Sequence, residues 1–178
     1  QVLVVDDGSS DGTVKILKEN VSFADRIIFL EKNRGKGAAL KAGLAEADGD
    51  FTLIQDADLE YDPVCYSVLL QPILDGEAGV VFGSRFLRKN KRNYFYALGN
   101  VLATKLFNLF FGTRLTDLAT CYKVFPTGLR GGLSVFSAND FVFDVVDLTY
   151  VIKRAGLKIK EVPILYESRP YREKKLKI

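Results

Sequence analysis

The 178-residue sequence contains no histidine, no methionine and no tryptophan. Without histidine there can be no Ser-His-Asp or Cys-His nucleophile system, no zinc site with imidazole ligands and no histidine general base. Any metal must then rest on oxygen ligands, which points to Mg2+ or Mn2+. Only two cysteines are present, Cys65 and Cys121, and they lack the paired spacing of a metal knuckle or a redox dithiol. They fit a reduced, cytoplasmic setting. A charge excess is missing too: 25 Lys and Arg against 22 Asp and Glu leave +3, too little to argue for a nucleic-acid partner. The opening residues do not read as a signal peptide, so none is expected, and no stretch of the sequence is apolar for long enough to cross a bilayer. With no methionine, not even an initiator, the sequence is expected to be a fragment or an edited chain.

What is present has the profile of one folded domain: 48% hydrophobic, 26% charged and 12% aromatic residues, at a length near the roughly 150 residues typical of a domain. Residues 2–5 form an aliphatic run that stops at Asp6-Asp7-Gly8-Ser9-Ser10, a buried strand running into a turn. Asp11 is placed to cap a helix over 12–20 whose apolar side is Val14, Ile16 and Leu17. Further strands are predicted over 27–30, 51–54 and 78–82, with helices over 38–47 and 63–74 between them. Strands alternating with helices predict an α/β fold with a mostly parallel sheet, whose ligands gather at the carboxyl ends of the strands. The second half reads as a long helix over 94–111, a loop and strand over 116–125, a helix over 141–155, and a strand pair over 158–166 split by Pro163.

Asp56-Ala57-Asp58 follows a predicted buried strand. Two carboxylates one residue apart can both reach a hard cation that bridges phosphates, and Glu60 could add a third oxygen. A lone D-x-D is more often a solvated turn. Asp6-Asp7 at the end of the first strand strengthens the ligand reading, because strand ends of one sheet converge and crowded acids need a cation or a hydrogen-bonding ligand. Opposite charge comes from Arg34, Lys36, Arg85, Arg88, Lys89, Lys91 and Arg92. Of these, Arg85 in Gly83-Ser84-Arg85 stands at a strand terminus. Arg172, Lys174, Lys175 and Lys177 make a basic tail suited to clamping a phosphate, or simply to fraying.

Several strings occur in one order along nearly the whole chain. They are Val4-Val5-Asp6-Asp7-Gly8-Ser9-Ser10-Asp11-Gly12-Thr13, Asn33-Arg34-Gly35-Lys36-Gly37-Ala38-Ala39, Gly49-Asp50 leading to Asp56-Ala57-Asp58-Leu59-Glu60, and Phe82-Gly83-Ser84-Arg85-Phe86. Thr116-Asp117, Thr120-Cys121-Tyr122-Lys123 and Glu161-Val162-Pro163-Ile164 follow. Together they resemble the family 2 glycosyltransferases of GT-A (Rossmann-like) fold, especially the dolichyl-phosphate mannose synthase and polyprenyl-phosphate glycosyltransferase branch. The family's first strand is expected to be missing from this chain. The resemblance implies metal-dependent, inverting transfer of a hexose from a nucleoside-diphosphate sugar, GDP-mannose or UDP-glucose, to a polyprenyl phosphate, dolichyl or undecaprenyl. By position, Asp6 and Asp7 would contact the nucleobase and Lys36 the substrate. Asp56, Asp58 and Glu60 would hold the metal and diphosphate. Arg85, Arg92 and Lys175 would bind phosphate, and Asp58 and Asp117 would be the catalytic carboxylates. Residues 1–178 would form a single GT-A domain, with 1–86 its nucleotide-sugar half and 87–178 its acceptor half. Such a protein would work at the cytoplasmic face of a membrane.

The long helix bears on that last point. Asn93, Asn100, Thr104 and Asn108 fall on one stripe and leave a wide face that includes Leu98, Val101, Leu102, Leu106, Leu109 and Phe110. A core helix packed on the sheet is the favoured reading, because Lys105 is the stretch's only cation. The alternative is an amphipathic helix in a membrane interface that guides a lipid acceptor. Other functions also stay open: a response-regulator receiver phosphorylated at Asp56, whose acidic pocket Val4-Val5-Asp6-Asp7 resembles, or a non-catalytic sugar-nucleotide-binding fragment. A dinucleotide enzyme is weaker, since Gly35-x-Gly37 lacks a third glycine and follows the wrong strand.

Overall fold

The computed structural model of the chain describes residues 1–90, 94–133 and 143–168. The chain passes alternately through two compact units. The first contains Gln1–Thr52 and Pro126–Gly156; the second contains Leu53–Phe125 and the segment that begins at Leu157.

In the first unit, β1 (Leu3–Asp6) and β2 (Arg26–Phe29) pair in parallel, in register from Leu3↔Arg26 to Asp6↔Phe29. They are joined through α1 (Thr13–Glu19) and a 3-10 turn at Val21–Phe23. Asp11 Oδ1 accepts the Thr13 N–H at 3.2 Å and the Thr13 hydroxyl at 2.6 Å, which fixes where α1 begins. Val14 and Leu17, three residues apart, are half-buried. Ile16, expected beside them, is 61% exposed. Two residues rotate a helix by about 200°, so Ile16 and Val14 point to opposite sides. α2 (Lys36–Glu46) packs on β1. Its last carbonyls, on Leu44 and Ala47, accept from the guanidinium of Arg130, which opens α5 (Arg130–Leu133). A π-helical turn at Phe143–Asp147 leads into α6 (Leu148–Arg154).

The second unit is built on a four-stranded sheet in the order β3-β5-β4-β6. β3 is Phe51–Leu53, β4 Val80–Ser84, β5 Lys123–Pro126 and β6 Ile159–Pro163. β4 runs parallel to β6 and antiparallel to β5. The fold is therefore α/β and only partly parallel. All five residues of β4 are buried, and α3 (Tyr66–Leu74) covers it with the fully buried Leu69. The expected strand pair over 158–166 is one strand that ends at Pro163, followed by an isolated antiparallel bridge between Tyr166 and Tyr61. Proline has no N–H to extend a ladder, and the next donor, Ile164 N–H, bonds Ser84 O at 3.2 Å and closes the pairing.

α4 (Tyr94–Phe111) has the expected bounds but the opposite orientation to a core helix. Leu98, Leu102, Leu106, Leu109 and Phe110 are exposed, the last two by 77% and 78%. Thr104 is buried, and Asn100 and Asn108 are half-buried. The polar stripe faces inward because it has partners there, described next.

Candidate functional site

In the first unit the acidic end of β1 organises its own backbone. Asp6 is buried and its Oδ1 accepts the Ser9 N–H at 3.0 Å, closing the turn. Gly8 follows at φ 68°, and a Cβ there would lie 2.5 Å from the backbone of Lys32 and Asn33. Only glycine allows the two loops to approach so closely. That approach brings Asp7 to the start of α2, where its two oxygens accept the N–H groups of Arg34 at 2.9 Å and Gly35 at 2.6 Å. Lys36, the first residue of α2, pairs at 3.0 Å with Asp144 of the π-helical turn. Asp6, Asp7 and Lys36 are thus within one compact unit, each with a protein partner.

In the second unit the chain leaves β3 and bends through Asp56, Asp58 and Glu60, all half-buried. Asp58 Oδ1 accepts the Glu60 N–H at 3.2 Å, and the Asp56 N–H donates to Cys121 Sγ at 3.1 Å. Leu59, between the two acids, has φ 61° and is 92% exposed. A non-glycine residue in the left-handed region is strained, and such strain concentrates at functional sites. The acids of this bend are hard oxygen donors, which fit Mg2+ or Mn2+ and not a softer metal. Among the described residues no three metal-binding side chains are gathered into a ready-made cage.

Beyond β4, Arg85 and Asp117 form a nearly sealed ion pair. Asp117 is fully buried and its carboxylate receives four N–H donors. Arg85 supplies Nε at 2.6 Å, Nη2 at 2.7 Å and its backbone N–H at 3.0 Å, and Asn100 supplies Nδ2 at 2.6 Å. Burial works against both charges, but the pairing outweighs it: the Asp117 carboxyl is held below the usual carboxylate range, and the Arg85 pKa goes further up. Asp117 is therefore an anion at neutral pH. Bidentate pairing holds one edge of the guanidinium, and its Nη1 side has no protein partner among the described residues.

The inward stripe of α4 supports this pair. Asn100 donates to Asp117, Thr104 Oγ1 donates to Asn100 and accepts the Leu118 N–H, and Asn108 bonds both polar groups of the Leu115 backbone. Glu161 of β6 accepts the N–H groups of Thr116 at 2.7 Å and Asp117 at 3.0 Å. Burial pushes its pKa up in spite of those two donors.

Tyrosines complete the cluster, and of these Tyr61, Tyr66 and Tyr166 were passed over by the motif reading. The Arg85 guanidinium carbon lies 5.1 Å from the Tyr166 ring centroid and 5.9 Å from that of Tyr61, within cation–π range. The Tyr166 hydroxyl donates to Glu60 Oε2 at 3.1 Å. Gln55, just before Asp56, accepts the hydroxyls of Tyr122 at 2.6 Å and Tyr66 at 3.0 Å and donates to Asp56 O at 2.7 Å. The structure thus brings Asp58, Glu60, Arg85 and Asp117 into one network in the second unit. Arg92, Lys175 and Asn93 lie outside the described residues. The four-residue spacing of Asn100, Thr104 and Asn108 was a visible signal for the support of Asp117, whereas Tyr166, two residues beyond the Glu161-Val162-Pro163-Ile164 string, was not singled out.

Comparison with known proteins gives this geometry a family. Over 175 residues the chain is 30% identical to the low-salt glycan biosynthesis hexosyltransferase Agl6 of Haloferax volcanii, a match to 94% of this chain and 40% of that protein. It is 26% identical to the dolichyl-phosphate beta-glucosyltransferase of Dictyostelium discoideum, over 92% of this chain and 54% of that one. The chain thus spans about half the length of these curated relatives. Among solved structures, glucosyl-3-phosphoglycerate synthase from Mycobacterium tuberculosis, in complex with Mn2+ and UDP-glucose, superposes with a TM-score of 0.68 at 24% identity, covering 96% of this chain and 61% of that one. That likeness shows the GT-A fold. Residues 1–129 match the family described as Glycosyl transferase family 2, and since the match takes in well over half of its length, the chain belongs to that family.

Proposed function

We propose that this chain carries the catalytic machinery for transferring a hexose from a nucleoside-diphosphate sugar, UDP-glucose or GDP-mannose, to a polyprenyl phosphate, by a metal-dependent single displacement with inversion. The observation that carries this reading is the Arg85 guanidinium, locked by Asp117 and stacked on Tyr166, in one network with the Asp58–Glu60 bend. A fixed, half-buried cation is suited to a phosphate, and a bend of carboxylates is suited to a cation on a diphosphate. The names of the relatives support a phosphate-bearing lipid acceptor, as in dolichyl-phosphate beta-glucosyltransferase. So does the state of Asp117, whose carboxylate is saturated by N–H donors and is a poor proton acceptor. A phosphate oxygen is already an anion at neutral pH, so its attack needs orientation and charge neutralisation and not a base.

In this reading Asp56 and Asp58 would hold Mg2+ or Mn2+, and the ion when bound would neutralise charge on the leaving nucleoside diphosphate. Asp6, Asp7 and Lys36 serve the donor, with 1–86 the donor half. Arg85, joined by Arg92 and Lys175, serves phosphate, with 87–178 the acceptor half and Asp117 holding Arg85. The exposed apolar face of α4 lies in a membrane surface on the cytoplasmic side, where a polyprenyl acceptor is presented. Among the described residues no helix is long and apolar enough to cross a membrane. The receiver reading loses its basis with the family assignment.

The test is transfer from UDP-glucose or GDP-mannose to undecaprenyl phosphate in mixed micelles with Mn2+. Asp58→Asn should lower turnover by about a hundredfold or more, the scale of removing one transition-state charge partner. Near-normal turnover in that variant would overturn the metal assignment. Nucleotide binding with no transfer to any lipid phosphate would instead make the chain a binding module.

A further inference from the structure

The Glu60 carboxylate is a candidate metal ligand by sequence position, yet its Oε2 is turned toward the Tyr166 hydroxyl. Contacts from several directions converge on that tyrosine. Its hydroxyl donates to Glu60 Oε2 at 3.1 Å. Its backbone bridges Tyr61, and the next residue, Glu167, donates its N–H to Glu60 O at 3.0 Å. Its ring packs edge-on to Tyr61 with centroids 5.3 Å apart and lies 5.1 Å from the Arg85 guanidinium carbon. Its N–H donates at 3.2 Å to Asn90, whose Nδ2 bonds Arg85 O at 2.9 Å.

A guanidinium held along one edge by Asp117 can still tilt about that edge, and the face of a ring placed against it removes the tilt. The ring is itself held in place by its hydroxyl. We propose that Glu60 and Tyr166 are a positioning pair: the carboxylate anchors the phenol, the phenol's ring fixes the Arg85 guanidinium, and the acidic bend and the phosphate-binding cation are thereby kept in register. This inference rests on the reading of Arg85 as the phosphate-binding group. It makes Glu60 a positioning residue and leaves cation binding to Asp56 and Asp58. Glutamine at 60 keeps an oxygen that accepts the phenol, whereas leucine does not.

The experiment compares Tyr166→Phe, Glu60→Leu and Glu60→Gln with the unsubstituted chain. Steady-state kinetics with undecaprenyl phosphate should show acceptor KM raised roughly three- to tenfold in Tyr166→Phe and Glu60→Leu, the range for one lost hydrogen bond, with kcat little changed. Glu60→Gln should restore the normal KM. The Mn2+ half-saturation of UDP binding, read by calorimetry, should be the same in all four proteins. Hydrogen exchange at Arg85 Nε–H, followed by 15N NMR and assigned with Arg85→Lys, should quicken in Tyr166→Phe and Glu60→Leu but not in Glu60→Gln. A Glu60→Gln protein with a roughly tenfold weaker Mn2+ half-saturation would make Glu60 a ligand and overturn the proposal, as would unaltered Nε–H exchange in Tyr166→Phe. If no variant and no parent protein transfers sugar, the functional reading fails, and the exchange measurement still decides the pair.

Discussion

Asp117 has four N–H donors and no exposed surface, so its two oxygens carry as much of the site's order as any group in the chain. Asp117→Asn would turn an amide N–H2 toward Arg85 and leave a buried guanidinium unpaired, at a cost of about 3–5 kcal/mol in urea unfolding at neutral pH. The sign with pH follows from the lowered carboxyl pKa. Stability from the pair is complete above the unfolded value near ~4 and is lost as pH falls through the lower folded value, so the gap between parent and variant should close on acidification below about pH 4. A gap that stayed constant down to pH 2 would mean that the pairing is not what stabilises Asp117. At this scale the sequence marked the acids and Arg85 through their places at strand ends, but not their couplings. Glu60 and Tyr166 meet across 106 residues, and no local pattern encodes such a pairing.

At the scale of elements, α4 shows how a correct periodicity can be paired with the wrong face. The 3.6-residue period fixed its bounds and separated a polar stripe from an apolar one. Which stripe turns inward depends on where hydrogen-bond partners wait, and the loop over 113–118 supplies them to Asn100, Thr104 and Asn108. Buried polar groups with partners are acceptable, and here they leave a row of leucines and Phe110 in solvent. Such a row is unusual on a protein surface and suits a lipid interface. Phe110→Glu should leave the thermal midpoint in place, because the side chain is already exposed. It should lower co-sedimentation with phosphatidylcholine vesicles by about tenfold, since burying one Phe side chain contributes ~1.5–3 kcal/mol. Equal sedimentation of the two proteins would remove α4 from the proposed membrane contact.

For the molecule as a whole, alternating strands and helices were enough to read an α/β chain, and the ordered motif strings gave its resemblance to the GT-A fold, while strand order and direction were not legible. β5 enters antiparallel between β3 and β4, and an apolar run has the same period whichever way it points. The same holds for the proposed donor site: the carboxylates at the ends of β1 and β3 were legible, while the base of the donor was not. Mass action offers a direct measurement. A ligand bound only by the native state stabilises it by ~2.7 kcal/mol at a hundred times its Kd. For a chain of this size that raises the melting temperature by roughly 5–10 °C. With Mn2+ present, UDP or GDP should produce such a rise, and the cognate nucleotide should exceed the other. Omitting Mn2+, or substituting Asp56→Asn, should remove most of it, because diphosphate and carboxylates then face each other without the cation between them. A nucleotide shift that is undiminished in Asp56→Asn and indifferent to Mn2+ would show that the diphosphate is held by cationic side chains alone and that the acidic bend has some other task.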